Sequence, residues 1–446
     1  MARLFRKNKI YRAWSFYDWA NSAYNLVITS TVFPVYYIAI TTQEHGGTKS
    51  DIVNFWGHEF VNSALLNYSY AFAYLLIAFL SPILSSIADY KSEKMKFMKF
   101  FTYLGAIACM GLFFFYPGKV AYGIILSAIA AIGYCGSLVF YNAYLPEIAP
   151  VAHQDQLSAR GFAYGYIGSV LLQIICFAFI IYGFDDGTFA PRLSFLLVGI
   201  WWLGFAQITF RGLPKNKDFH FKKEKKTHWW GGFQELKKVM KEVQKYPTLK
   251  RYLLAFWFYS MGVQTVMLAA AQFGSKEVKK MVNGVWVNLE SQDLIITILL
   301  IQLVAIAGAY LMANLAVRWG NFKVLLLTIS LWIMICGAAY FTYTSTSFYL
   351  LAAAVGIVMG GIQSLSRSTY SKLMPETKDT ASYFSFYDVT EKIAIVIGMF
   401  TFGFLEDLTG DMRNSILSLA AFFVLGFVFL IIASKSKNQL TAEVKI

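Results

Sequence analysis

Charge is scarce in this chain. Of its 446 residues only 14% are Asp, Glu, Lys or Arg, while 57% are hydrophobic, above the roughly half that is usual for a soluble domain. Histidine (5), proline (9) and cysteine (4) are few as well. Cys109, Cys135, Cys176 and Cys336 all fall inside apolar runs and form no C-x-x-C pair, so they read as small packing residues rather than a redox pair or a metal clamp. The histidines lie in connecting segments, and H-E-x-x-H, phosphate-loop and dinucleotide fingerprints are absent. That argues against metal, nucleotide and redox chemistry, so neither a catalytic set nor a cofactor is expected. A receptor or scaffold, the alternative from another class, would need a large soluble sensing region; the longest connection between apolar runs is 212–249.

Apolar sequence is abundant, and it comes in runs of about 20 residues, the length that crosses a bilayer as a helix. Twelve runs can be drawn: 15–41, 63–88, 97–116, 120–144, 160–182, 191–211, 250–273, 293–316, 323–343, 347–371, 383–406 and 412–434. The expected fold is an all-α multi-pass membrane protein with twelve transmembrane helices. The basic opening "MARLFRKNK" looks like a leader, but the apolar stretch behind it continues a longer helix containing polar residues, with no small-residue cleavage site. It is read as a retained first span.

The net charge of +14 invites a nucleic-acid reading, but the placement of the basic residues speaks against it. With the N-terminus inside, roughly 32 of the 39 Lys and Arg fall on the cytoplasmic side, a strong positive-inside bias. Both termini are therefore expected in the cytoplasm, with the chain in a bacterial inner membrane and anionic headgroups as partners of the basic loops. The central connection carries Leu236, Val239, Met240, Val243 and Tyr246 at helical spacing between lysines, behind Trp229 and Trp230. A basic amphipathic helix of this kind is expected to lie on the inner leaflet.

The chain also repeats itself. "YNAYLPE" (141–147) ends the fourth run and "YSKLMPE" (370–376) ends the tenth; "SSIADYKSEK" after the second run has a looser counterpart, "ANLAVRWGNFK", after the eighth. Both matches share nearly one offset, and the basic connection lies midway. The expected organisation is a six-helix half at 1–211, a basic linker at 212–249 and a second six-helix half at 250–446.

Five motifs occur in order: "YDWANSAY", "FYNAYLPEIA", "SARGFAYGYIGS", "LSRSTYSKLMPE" and "FSFYDVTEKIAIVIG". Together they resemble the vacuole-effluxer-like family of the major facilitator superfamily, from about Arg12 to Ala433. The resemblance implies a secondary transporter with the major facilitator fold; fungal members are associated with export of amino acids from the vacuole. The superfamily's loop after the second span is altered here. Ser85, Asp89, Tyr90, Ser92 and Lys94 stand at its motif positions, keeping the acid but neither glycine nor the arginine, while the second copy keeps Arg318, Gly320 and Lys323.

Polar residues inside the spans nominate the site. Asp18, Asn21, Ser22, Asn25 and Thr29 fall on one face of the first helix. A charge facing lipid costs about 2.5–3.5 kcal/mol even on the lenient insertion scale, so this stripe must face protein or water. Span ten shows Gly360, Gln363, Ser364, Arg367 and Tyr370; span seven adds Gln264 and span four Tyr141. Asp388 and Lys392 are four apart in span eleven and can pair. The expected cavity and coupling residues are Asp18, Asn21, Asn25, Tyr141, Gln264, Gln363, Arg367 and Asp388. Asp89, Glu147, Arg160, Arg318, Glu391 and Lys392 are expected to gate the cytoplasmic side. Arg367 with Asp18 or Asp388 would suit a zwitterion, so the expected substrate is a neutral amino acid, with protons as the candidate coupling ion. The 18% aromatic content leaves an amphipathic or lipid-like substrate as the alternative.

Overall fold

A computed structural model of the chain describes residues 2–45, 48–182, 187–214, 231–409 and 412–443. Lys217, Trp229 and Trp230 of the central connection lie outside the described residues. Span one runs Asn8–Thr41. The others are span two (Asn62–Lys91), three (Lys94–Phe114), four (Val120–Ile148), five (Gln154–Tyr182), six (Phe189–Gly212), seven (Pro247–Glu277), eight (Ser291–Trp319), nine (Asn321–Tyr340), ten (Ser345–Leu373), eleven (Thr380–Thr409) and twelve (Met412–Glu443). Eleven of these are long and apolar enough to cross a membrane. Span eleven is the exception, because Asp388, Glu391 and Lys392 sit in its first half and Glu406 near its end. A helix with that many charges survives in a bundle only by facing protein or water.

Local chemistry sets the helix ends. Pro247 opens span seven, where its missing N–H costs nothing. Capping boxes start span eight (Glu290 with Asp293) and span ten (Thr344 with Ser347). Two β-hairpins, Ile52–Phe55 with His58–Val61 and Lys279–Val282 with Val285–Asn288, follow spans one and seven. Each turns through two residues with positive φ, Trp56 (51°) and Gly57 (86°), and Asn283 (53°) and Gly284 (83°), the backbone that two-residue hairpins require.

The chain divides into two compact units. The first comprises Met1–Tyr144 and Tyr164–Gly232, the second Leu145–Ala163 and Phe233–Ile446. The connection between spans four and five thus groups with the second unit. Small residues allow close helix crossings within each. A Cβ on Gly360 would lie 2.1 Å from the Ala305 carbonyl, and one on Gly165 would lie 2.4 Å from Ser22 Oγ. Gly360, expected on the solute-facing stripe of span ten, is instead pressed against span eight.

An arginine ties each unit at the start of its last helix. Arg192 Nε donates to Thr188 O at 3.0 Å, and its guanidinium lies 4.0 Å from the Tyr116 ring. Arg413 donates to the carbonyls of Tyr340 (2.9 Å) and Thr342 (2.8 Å) and to Glu277 Oε2 (3.0 Å), and lies 4.0 Å from the Tyr343 ring. The repeat therefore extends to tertiary contacts that short motif matches do not reveal.

The helix Gly231–Gln244 packs against span eleven. Val239 and Val243 are buried, Glu242 accepts from the Tyr383 hydroxyl at 2.9 Å, and Lys238 stands 3.4 Å from Asp379. Part of its apolar stripe is covered by protein, where Tyr383 of span eleven and Asp379 just ahead of it serve as polar partners. Met240 and Tyr246 remain exposed.

Candidate functional site

In the first unit, the Asp18 end of the polar stripe is closed. Asp18 is 5% exposed, and the Tyr141 hydroxyl donates to its Oδ2 at 2.7 Å. Tyr141 is fixed in turn: Trp14 stacks on it at 4.5 Å and donates from Nε1 to its carbonyl at 3.1 Å, and Tyr17 packs at 4.8 Å while its hydroxyl pairs with Thr102 Oγ1 at 2.7 Å. A bond from a phenol to a carboxylate is a strong, short one, so spans one and four are joined at the two residues that the sequence nominated. Asn21 is buried too, and its Nδ2 has no partner among the described residues. Ser22, Asn25 and Thr29 are half-buried and Ser30 is exposed. At the start of span three, Lys94 pairs with Asp89 at 3.2 Å, both side chains buried. Between them Ser92 holds the left-handed helical backbone (φ 52°, ψ 42°), while Gly320 at the matching place of the second copy also has positive φ but an extended ψ (φ 85°, ψ 150°).

In the second unit, span ten grips the connection between spans four and five. Arg367, 4% exposed, donates from Nε to Ser158 Oγ and from Nη2 to Ser158 O, both at 2.9 Å, and its guanidinium lies 4.2 Å from the Phe162 ring. Ser158 Oγ passes the chain on to the Ser364 carbonyl at 2.8 Å. Nearby, Lys372 is paired with Asp155, and Asn321 Nδ2 donates to Asp155 Oδ1 at 2.7 Å. Thr380 donates to Glu147 at 2.6 Å. Arg367, expected to bind a solute carboxylate, is thus already engaged by protein. Arg160 is half-buried on span five, and Arg318 is exposed at the end of span eight.

Span eleven holds the second cluster. Asp388 pairs with Lys392 at 3.3 Å, Lys392 lies 3.6 Å from Glu391, and Gln264 Nε2 donates to Glu391 Oε1 at 2.9 Å. Asp388 is 7% exposed, and its Oδ2 has no hydrogen-bond partner among the described residues. Two carboxylates against one ammonium leave the cluster net negative. Behind it, Tyr387 stacks on Phe256 at 4.2 Å, and the hydroxyls of Tyr252 and Tyr259 converge on Ser366, at its carbonyl (2.8 Å) and its Oγ (2.7 Å). Gln363 is half-buried, with Nε2 at 3.3 Å from Met267 Sδ.

Sequence reasoning missed Ser158, Asp155, Lys372, Asn321, Thr380 and Glu242. Ser158 stands in the "SARG" motif, where attention goes to Arg160; the others carry no local signal. No group of three or more His, Cys, Asp or Glu suited to a metal occurs among the described residues.

The family described as "Vacuole effluxer Atg22 like" matches residues 6–443. The chain is 32% identical to the MFS-type transporter YxiO of Bacillus subtilis, over 96% of this chain and 95% of that one. It is 23% identical to autophagy-related protein 22 of Kluyveromyces lactis, over 97% and 93%. Among solved structures, the major facilitator transporter FucP in its outward conformation superposes with a TM-score of 0.67 at 14% identity, over 96% of this chain and 98% of that one. The human organic anion transporter MFSD10 gives 0.69 at 10% identity, over 95% and 99%.

Proposed function

The chain belongs to the vacuole effluxer Atg22-like family and is a multi-pass transporter of the major facilitator type, not an enzyme; from that premise we propose that it moves small polar solutes, neutral amino acids first among them, by alternating access. Its two working halves are 1–211 and 250–446, joined by the linker 212–249. The single observation that carries this reading is the set of bonds holding Leu145–Ala163 to spans ten and eleven. Such bonds suit a gate: individually modest, mostly polar, and able to be remade with water when the gate opens. Arg367, Asp155, Lys372 and Glu147 are its members, and Asp89 with Lys94 stiffens the corresponding turn of the first unit.

The gate faces the cytoplasm, both termini lie there, and the membrane is the bacterial plasma membrane. The positive-inside bias supports the orientation. The net-negative cluster of Asp388, Glu391 and Lys392 with Gln264 is the place for a proton or a solute ammonium, since removing one proton-accepting carboxylate changes its charge balance at once. The family description supports efflux as the direction.

Proteoliposomes with an imposed pH gradient test this. Labelled leucine is expected to accumulate against its own gradient and to be competed by other neutral amino acids. Leucine movement no faster than in protein-free vesicles, at either pH polarity, removes amino acids as substrates. For orientation, cysteines at Lys217 and Lys279 are expected to label from opposite sides of the membrane.

A further inference from the structure

Span one stops being an α-helix midway. From Tyr24 to Thr31 it is π-helical, and the Val32 N–H bonds the Val27 carbonyl five residues back. The cause is legible in the residues. Pro34 has no N–H for the Ser30 carbonyl, and its ring crowds that carbonyl, so α-bonding cannot pass through. The neighbouring hydroxyls of Ser30 and Thr31 also reach back five positions, to Asn25 O at 2.9 Å and Leu26 O at 2.7 Å. The side-chain amide of Gln173 in span five stands 2.8 Å from Thr31 Oγ1, both side chains being buried, and since the one hydroxyl proton goes to Leu26 O, it is the amide N–H that donates there. Eight residues of π-helix is long, since most occur as single-turn bulges, and those cluster at functional sites.

The turn changes which residues stay open. An unbroken α-helix would carry the stripe from Thr29 on to positions 32, 33 and 36. In the structure Val32, Phe33 and Tyr36 are buried, and the stripe ends at Ser30. At its other end Asp18 and Asn21 are buried. The stripe residues left partly open are Ser22, Asn25 and Thr29, each half-buried, and Ser30, which is exposed; all are neutral and all can hydrogen-bond. Polar groups uncovered within a span face water rather than hydrocarbon.

We propose that the π-helical turn Tyr24–Thr31 is a solute-contact site of span one, where Asn25, Thr29 and Ser30 hydrogen-bond the uncharged polar atoms of a small solute and Thr31, held by Gln173, positions the turn. This rests on the transporter reading and deepens it. Span one reads hydrogen-bonding groups, not charge, because its carboxylate at Asp18 is committed to Tyr141.

The test is a single-cysteine scan of positions 22–36 in membranes, read with a membrane-impermeant thiol reagent; the four native cysteines are buried. Positions 22, 25, 29 and 30 are expected to react, and 26, 27, 28, 32, 33 and 36 to stay silent. Reaction at 33 and 36 instead of 30 would mean a continuous α-helix and would overturn the proposal without reference to any solute. The solute readout uses millimolar leucine, which is expected to slow labelling at 25 and 29 several-fold. Leucine that raises the melting temperature of the wild-type protein but protects neither position overturns the contact and leaves the amino-acid reading standing. Leucine that does neither overturns both.

Discussion

Replacing Arg367 by glutamine should loosen the connection between spans four and five without unfolding the protein. The guanidinium makes two bonds to Ser158 at 2.9 Å and covers the Phe162 ring at 4.2 Å. Hydrogen bonds from a charged donor contribute about 1.5–3 kcal/mol each, and a desolvated cation–π contact about 2. Two offsets apply. Glutamine can remake one neutral bond, and the variant no longer keeps a charge out of water, a penalty of several kcal/mol per ion. The net loss is about 2–4 kcal/mol, which is roughly a 30- to 1000-fold change in a local opening equilibrium. Hydrogen exchange reads this directly: amides of 154–163 should exchange faster by about that factor, because opening free energy sets their protection. Amides of span six, in the other unit, serve as the control. Ser158→Ala should give a smaller effect, about 1 kcal/mol, since the Ser158 carbonyl still accepts. Unchanged exchange over 154–163 in a folded Arg367→Gln protein would refute the gate as described.

Four further outcomes are expected. Asp18→Asn keeps the fold, because the new side chain still accepts from Tyr141, but abolishes concentrative transport; pH-driven accumulation of leucine at the wild-type rate would leave Asp18 as a packing residue. Tyr141→Phe removes a charge-assisted hydrogen bond from a buried carboxylate and should lower stability by about 1–3 kcal/mol, seen as a lower melting temperature in detergent. Asp388→Asn should preserve solute exchange and lose pH-driven accumulation, measured in the same proteoliposomes; loss of both would make the span eleven cluster structural. Arg413→Lys should destabilise nearly as much as Arg413→Gln, since only a planar fork reaches the Tyr340 and Thr342 carbonyls and Glu277 together; full thermal stability in the lysine variant would show that charge alone suffices there.

The pseudo-repeat deserves a physical reading. Arg192 and Arg413 each stand at the start of the last helix of a unit and cover a tyrosine at 4.0 Å. Hairpins with paired positive-φ residues follow spans one and seven. Where geometry is demanding, at a left-handed turn or a helix-end carbonyl, both copies meet it with residues of the same kind. At the turn after the second span of each unit the copies have diverged: Ser92 takes the left-handed helical conformation, whereas Gly320 takes a positive φ with extended ψ, which glycine alone adopts readily.

The sequence by itself determined the spans, their number and the polar faces. Those depend on local hydrophobicity and helical period, which each run carries within itself. It also determined the Asp388–Lys392 pair, since four residues is one helical turn. Tertiary structure alone decided the rest. Arg367 is engaged by protein because Ser158, 209 positions away, was brought beneath it. Asp18 was withdrawn from solute because Tyr141 closed over it from span four. The amphipathic helix is held to span eleven because Tyr383 and Asp379 offered it partners. The π-turn needed both Pro34, which is local, and Gln173, which is not. In each case the side chain's type was visible from the start, but its task was set by the neighbour that desolvated it, and burial against a particular partner is not written at any single position of the chain.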